Sequence, residues 1–76
     1  MVNGGRYEGF WKGGFKHGEG TFWYRNGNVQ YEGEWQAGEP HGMGKVYNIE
    51  GELKYEGEFR NGKTKKGVNW MDYRRL

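Results

Sequence analysis

The side chains of this sequence that could do chemistry are two histidines, His17 and His41, and two closely spaced glutamate pairs, Glu32 with Glu34 and Glu56 with Glu58. Imidazole suits proton transfer and metal binding near neutral pH, and paired carboxylates are the equipment of glycoside hydrolysis. The spacing argues against both. His17-Gly18 and His41-Gly42 recur 24 residues apart in matching surroundings, so one structural role in a turn, used twice, accounts for them. A zinc site would need both rings and a carboxylate to converge across that distance. Glutamates at alternate strand positions share a sheet face, where charges pair across strands. The chain has neither Ser nor Cys, which leaves Thr21, Thr64, lysines and carboxylates as nucleophiles, with no base and orienting partner in view. Gly13-Gly14 and Gly18-Glu19-Gly20 have neither the Walker nor the dinucleotide spacing, and no helix pattern follows to bind phosphate. The expectation is a non-enzyme with no metal and no cofactor. Without cysteine there is no disulfide, and redox chemistry says nothing of compartment.

What positions these residues is a repeat. Tyr7-Glu8-Gly9 returns as Tyr31-Glu32-Gly33 and Tyr55-Glu56-Gly57, each followed at the same distance by a large ring, Trp11, Trp35 and Phe59, and then by Gly14, Gly38 and Gly62. Gly20 returns as Gly44 and Gly27 as Gly51, while the third copy loses the pattern after Gly62. A terminal unit with no neighbour to cover it is expected to diverge in this way. The whole chain, residues 1–76, reads as one domain with units at about 7–30, 31–54 and 55–76. Met1 lies close to the first unit and the last unit diverges, as expected of a complete small protein.

Each unit holds two turn signals and two short alternating runs, the signature of successive β-hairpins. Gly13-Gly14, Ala37-Gly38 and Asn61-Gly62 mark turns within units, and Asn26-Gly27 and Glu50-Gly51 mark turns between them. Asn-Gly is the strongest signal, because both central residues of a type I′ turn need positive φ. Strands are expected near 6–12, 18–24, 29–36, 42–48, 52–60 and 67–73, with Pro40 in a connection. The fold class is therefore all-β: a single twisted antiparallel meander of about six strands built from three hairpin repeats. Alternation puts Tyr7, Gly9 and Trp11 on one face, where glycine leaves room for a ring from the neighbouring strand. An aromatic ladder through Tyr31, Trp35, Tyr55 and Phe59 follows, joined by Phe22, Val46 and Trp70. Glu8, Glu32 and Glu56 line the opposite face.

Composition agrees with a small aromatic fold. Leu, Ile, Val and Phe number only eleven among 76 residues, but fourteen Phe, Trp and Tyr supply apolar area at low entropy cost, and the net charge is only +2. No apolar stretch approaches a membrane span or a signal core, and a cytoplasmic location is expected. Residues 1–59 carry six basic and nine acidic groups, whereas residues 60–76 carry six basic and one acidic.

The run Tyr-x-Gly-x-Trp-x-x-Gly-x-x-His-Gly-x-Gly, at Tyr7 to Gly20 and again at Tyr31 to Gly44, closely resembles the MORN repeat (membrane occupation and recognition nexus). The third unit keeps Tyr55, Gly57, Phe59 and Gly62 but has Lys65, Lys66, Gly67 and Val68 in place of the His-Gly portion. The resemblance implies a twisted sheet of hairpins and a role in scaffolding, in binding partners along an aromatic groove, or in binding phosphoinositides.

Three surfaces follow. The first is the aromatic groove, Tyr7, Trp11, Tyr31, Trp35, Tyr55 and Phe59. The second is an N-terminal aromatic patch: Phe10, Phe15 and Trp23 stand where the second unit has Glu34, Glu39 and Tyr47, and an exposed aromatic cluster usually marks an interface. An N-terminal cap folding over its own open edge explains the same residues. The third is the basic C-terminal end, Arg60, Lys63, Lys65, Lys66, Arg74 and Arg75, suited to an anionic lipid headgroup or serving only to protect a sheet edge. The leading expectation is a small non-catalytic module, adaptor or inhibitor, that docks a protein partner. Anionic lipid binding and a structural homodimer are the alternatives. Nucleic acid is disfavoured, because the basic residues gather at one end and acids dilute the rest.

Overall fold

A computed structural model describes residues 5–76. It is one six-stranded antiparallel sheet in strict meander order: β1 (Arg6–Lys12), β2 (Phe15–Trp23), β3 (Val29–Gln36), β4 (Glu39–Tyr47), β5 (Leu53–Arg60) and β6 (Lys63–Thr64). The repeat predicts this single layer, and the molecule measures 33 × 32 × 15 Å. Among the described residues no helix is long and apolar enough to cross a membrane.

The turns within units are two residues long. Gly13 and Gly14, Ala37 and Gly38, and Asn61 and Gly62 all have positive φ, the pairing that matches the twist of a hairpin. Strands β2 and β4 therefore start directly after their turns, three residues ahead of the expected 18 and 42. Gly18 and Gly42, with φ of 69° and 99°, lie inside strands where the register slips: Gly9 opposes Gly20 but Phe10 opposes His17, and Gly33 opposes Gly44 but Trp35 opposes Pro40. Each His-Gly pair is thus part of a β-bulge rather than of a turn. Pro40 also lies in a strand, at the second position of β4, ahead of the first β4–β5 pair, Gly42 with Phe59. Its missing donor interrupts no ladder there.

Turns between units are built differently from the type I′ expectation. The Gly27 N–H donates to the Tyr24 carbonyl at 3.0 Å and the Gly51 N–H to Asn48 at 3.0 Å, and only the glycine of each turn has positive φ. Asn26 contributes its side chain instead, with Oδ1 accepting from the Asn28 N–H at 2.9 Å.

The expected sixth strand at 67–73 is absent. Gly67, with φ of 83°, turns the chain back after β6, and its N–H donates to the Thr64 carbonyl at 2.9 Å. Asn69 then caps a 3₁₀ helix over Trp70–Arg75, its side chain accepting from the Met71 N–H at 2.9 Å. Asp72 in the first turn and Arg74 and Arg75 in the last suit the helix dipole. Alternation of Val68 and Trp70 imitates a strand, but a cap and a left-handed glycine override it.

The core sits on one face of the sheet. Tyr31, Trp35, Val46 and Phe59 are buried, with Tyr7, Phe22, Tyr55, Trp70 and Tyr73 packed against them. Trp70 joins the ladder as expected, but from the helix rather than from a strand. The glycines opposite each other in the centre of the sheet seat the tyrosines. A Cβ on Gly20 would meet the Tyr7 ring, and one on Gly44 the Tyr31 ring. Each tyrosine thus lies along its own strand, its hydroxyl over the glycine two positions on and its ring over the facing glycine of the neighbouring strand.

Candidate functional site

The aromatic face is a continuous chain of rings. Trp11, Tyr7, Trp35, Tyr31, Phe59 and Tyr55 succeed one another at centroid separations of 5.0 to 5.4 Å, each nearly perpendicular to the next. Edge-to-face pairs of this kind stabilise beyond their buried area. The Trp35 indole also donates to the Gly20 carbonyl at 3.1 Å, tying the second unit to the first. Turn glycines do the same: the Gly38 N–H donates to Lys16 at 3.1 Å and the Gly62 N–H to Pro40 at 2.9 Å.

The middle of the expected groove is closed by the chain's own helix. The Trp70 centroid lies 5.7 Å from Phe22, 6.1 Å from Tyr31 and 5.4 Å from Trp35, and Tyr73 stacks on Tyr55 at 6.3 Å. Tyr31, Trp35 and Phe59 are consequently no more than 2% exposed. Tyr7 and Tyr55 are half-buried, while Trp11 is 58% exposed. Burial, reinforced by the nearby Glu34 carboxylate, pushes the Tyr31 hydroxyl far above the usual phenol range against the opposing effect of its backbone hydrogen bond. Burial also raises Tyr7 and Tyr24.

Sequence reasoning missed Lys16. It lies opposite Trp11 in the β1–β2 ladder, with its ammonium 5.3 Å from the Phe22 centroid, 5.4 Å from Tyr7, 5.6 Å from Trp35 and 5.7 Å from Trp11. The available signal was positional, since the units place Lys16, Pro40 and Thr64 at one repeat position.

On the opposite face, the N-terminal patch divides. Phe10 and Phe15 lie near the Gly13-Gly14 turn and are 68% and 58% exposed. Phe15 opposes Lys12 at that end of the hairpin, whereas Trp23 opposes Arg6 at the other, about 20 Å away at the usual strand rise. Trp23 is half-buried beneath the Arg6 guanidinium, 4.3 Å from its ring. The structure joins Phe10 with Phe15 and leaves Trp23 apart.

The basic end divides as well. Arg60, Lys63, Lys65 and Lys66 are exposed around the β5–β6 hairpin, while Arg74 and Arg75 end the helix. There the Arg74 carbonyl accepts from the Ile49 N–H at 3.1 Å, beside the turn at the opposite end of β5. On the glutamate face, Lys45 opposes both Glu32 and Glu56. The His41 Nδ1 accepts from the Asn61 N–H at 3.3 Å, a link between units. Among the described residues no three His, Asp or Glu side chains are placed to hold a metal.

The architecture is an array of β-hairpin repeats, each seated on the next by ring packing and main-chain hydrogen bonds. The chain belongs to the MORN repeat family, whose model matches residues 7–29, 31–47 and 55–64. The third match ends where β6 ends and the chain turns towards the helix. No curated protein and no solved structure matches.

Proposed function

We propose that the chain is a small non-catalytic protein-binding module, an adaptor or inhibitor, whose contact surface is the tip of the β1–β2 hairpin. The observation that carries this is the joint exposure of Phe10 and Phe15 on one face of that tip. Large apolar side chains grouped on a small surface favour an interface, and β1 is an edge strand with main-chain groups able to pair. Membership of a family of interaction modules supports the same reading. A partner lying along the aromatic groove would have to displace Trp70, so the tip is the more accessible surface.

The test uses residues that the chain itself carries at the matching positions of its second unit. Phe10→Glu with Phe15→Glu reproduces Glu34 and Glu39 and should leave the β-sheet circular dichroism intact while abolishing capture of a stoichiometric protein from lysate. Capture that survives this change, but is lost on neutralising Lys63, Lys65 and Lys66, would overturn the proposal in favour of an anionic partner.

A further inference from the structure

We propose that the outer edge of β1 receives an extended segment of the partner protein as an added antiparallel strand, with a glycine facing Gly9, a basic residue facing Glu8 and apolar residues facing Phe10 and Tyr7. The proposal rests on the reading of the chain as a protein-binding module and supplies the form in which the partner is held. Its template is the pair of joints inside the molecule. Where the first unit meets the second, Gly20 faces Gly33 and Phe22 faces Tyr31. Where the second meets the third, Gly44 faces Gly57 and Val46 faces Tyr55. Gly9 and Tyr7 hold the same positions in β1, the end strand of the sheet. A strand added to such an edge is held by main-chain hydrogen bonds and selected by its alternate side chains.

The groups that hold a preceding strand are already set in the first unit. The Gly38 N–H reaches the Lys16 carbonyl and the Gly62 N–H the Pro40 carbonyl, two residues ahead of the strand glycines Gly18 and Gly42. Those two donors have φ of 85° and 82°, and Gly14 has 86°. The Trp35 indole donates to the Gly20 carbonyl. Trp11 rests on Tyr7 at the same 5.0 Å that separates Trp35 from Tyr31. Among the described residues neither the Gly14 N–H nor the Trp11 indole N–H has an acceptor. With β2 in front and Trp70 above, Trp35 is 2% exposed, whereas Trp11, with neither, is 58% exposed.

The occupant is another protein rather than a second copy. β2 and β4 carry the glycine and apolar spacing, but each is paired on both sides. The opposite end of the sheet is closed: β6 has two residues, Lys63 bridges to Asn69, and the Thr64 N–H donates to the Val68 carbonyl. Two copies meeting through β1 about Gly9 would set Arg6 against Lys12 twice, and like charges directly opposite are destabilising. The same meeting would set Trp11 against Tyr7, where the joints give Trp35 and Phe59 a facing glycine. Side-chain preference follows from the second joint, where Lys45 faces Glu56, the counterpart of Glu8. Phe10 stands where the other units have Glu34 and Glu58, so an apolar residue suits the position facing it.

The probe is a synthetic peptide of the chain's own β4, Glu39–Tyr47, whose Met43, Gly44, Lys45 and Val46 meet these requirements in order. Titrated into the full chain, it should shift the Trp11 indole N–H resonance saturably, slow amide exchange in β1 and leave the Trp70 indole unmoved. Trp11→Phe, which installs the kind of ring the third unit has in Phe59, should weaken binding about fivefold by removing one donor. An antiparallel strand pairs with one edge through alternate residues. Methylating the peptide's amide nitrogens at Gly42, Gly44 and Val46, or instead at Met43, Lys45 and Tyr47, should therefore abolish binding in one case and spare it in the other. An unmoved Trp11 resonance, or an equal effect of the two methylated peptides, would overturn the proposal. So would a chain that is dimeric by light scattering and released to monomer by the peptide, which would give the edge to a second copy. Capture through Phe10 and Phe15 can succeed where the peptide fails, and the binding module would then stand without the added strand.

Discussion

The Tyr31 hydroxyl donates to the carbonyl of Glu34, three residues ahead in the same strand, at 2.8 Å. Tyr7 makes the same bond to Phe10 at 2.8 Å and Tyr55 to Glu58 at 2.9 Å. A tyrosine can reach that acceptor only by lying down along its strand. The bond thus dictates that the position two residues on, and the one opposite it, carry no side chain. The Tyr-x-Gly motif and the distant Gly20 and Gly44 are parts of one device.

Substituting Gly44 tests that device. Gly44→Ala places a methyl group against the Tyr31 ring and should cost about 3 kcal/mol by overpacking. Gly13→Ala meets no atom within 4 Å but must keep a φ of 59°, and should cost only about 1 kcal/mol. Urea unfolding of the two variants measures the difference, and equal losses would contradict the steric account.

Alkaline pH should unfold the protein through its tyrosines. The folded-state pKa of Tyr31 is raised by burial and then by Glu34, and Tyr7 and Tyr24 are also raised, chiefly by burial. Above about pH 10 the unfolded chain releases phenolic protons that the folded chain retains. Stability is therefore intact below that pH and falls as pH rises beyond it. Tyr31→Phe should flatten this decline while lowering stability at neutral pH by about 1 kcal/mol through the lost hydrogen bond. Chemical denaturation at pH 7 and pH 11 separates the two effects.

Removal of Trp70 should expose the aromatic face. Trp70→Ala uncovers Phe22, Tyr31 and Trp35 together and should lower stability by about 3 kcal/mol. A hydrophobic dye such as ANS should bind the folded variant and not the parent. A variant that keeps the parent's stability and binds no dye would show that the helix is not part of the core.

Much of this was legible in the sequence because the 24-residue period aligns Tyr7, Tyr31 and Tyr55 with Trp11, Trp35 and Phe59, and strand alternation then fixes which face they share. The same logic misplaced the starts of β2 and β4, since Gly18 and Gly42 carry the composition of a turn while serving as bulges. Trp70 was assigned to the right cluster by its distance from Tyr55 but to the wrong element, because a cap at Asn69 weighs more than two alternating residues. For the candidate surfaces, residue type located Phe10 and Phe15 but grouped Trp23 with them, a separation set by hairpin register. The setting of Lys16 lay beyond reach, because a cation among four rings depends on the lateral placement of three strands.

The helix that closes the aromatic face also has a kinetic meaning. Every strand pairs with its neighbour across a short turn, so the sheet can assemble from contacts close in sequence, the class of topology that folds fast. The helix is the exception, Trp70 meeting Phe22 from 48 residues away and Met71 meeting Gln30 from 41, and such contacts carry a larger loop-closure cost. Interactions of this kind form late, and stabilisation gained after the barrier slows unfolding while leaving the folding rate nearly unchanged. The last turn of the chain is a latch: it sets how long the sheet stays shut.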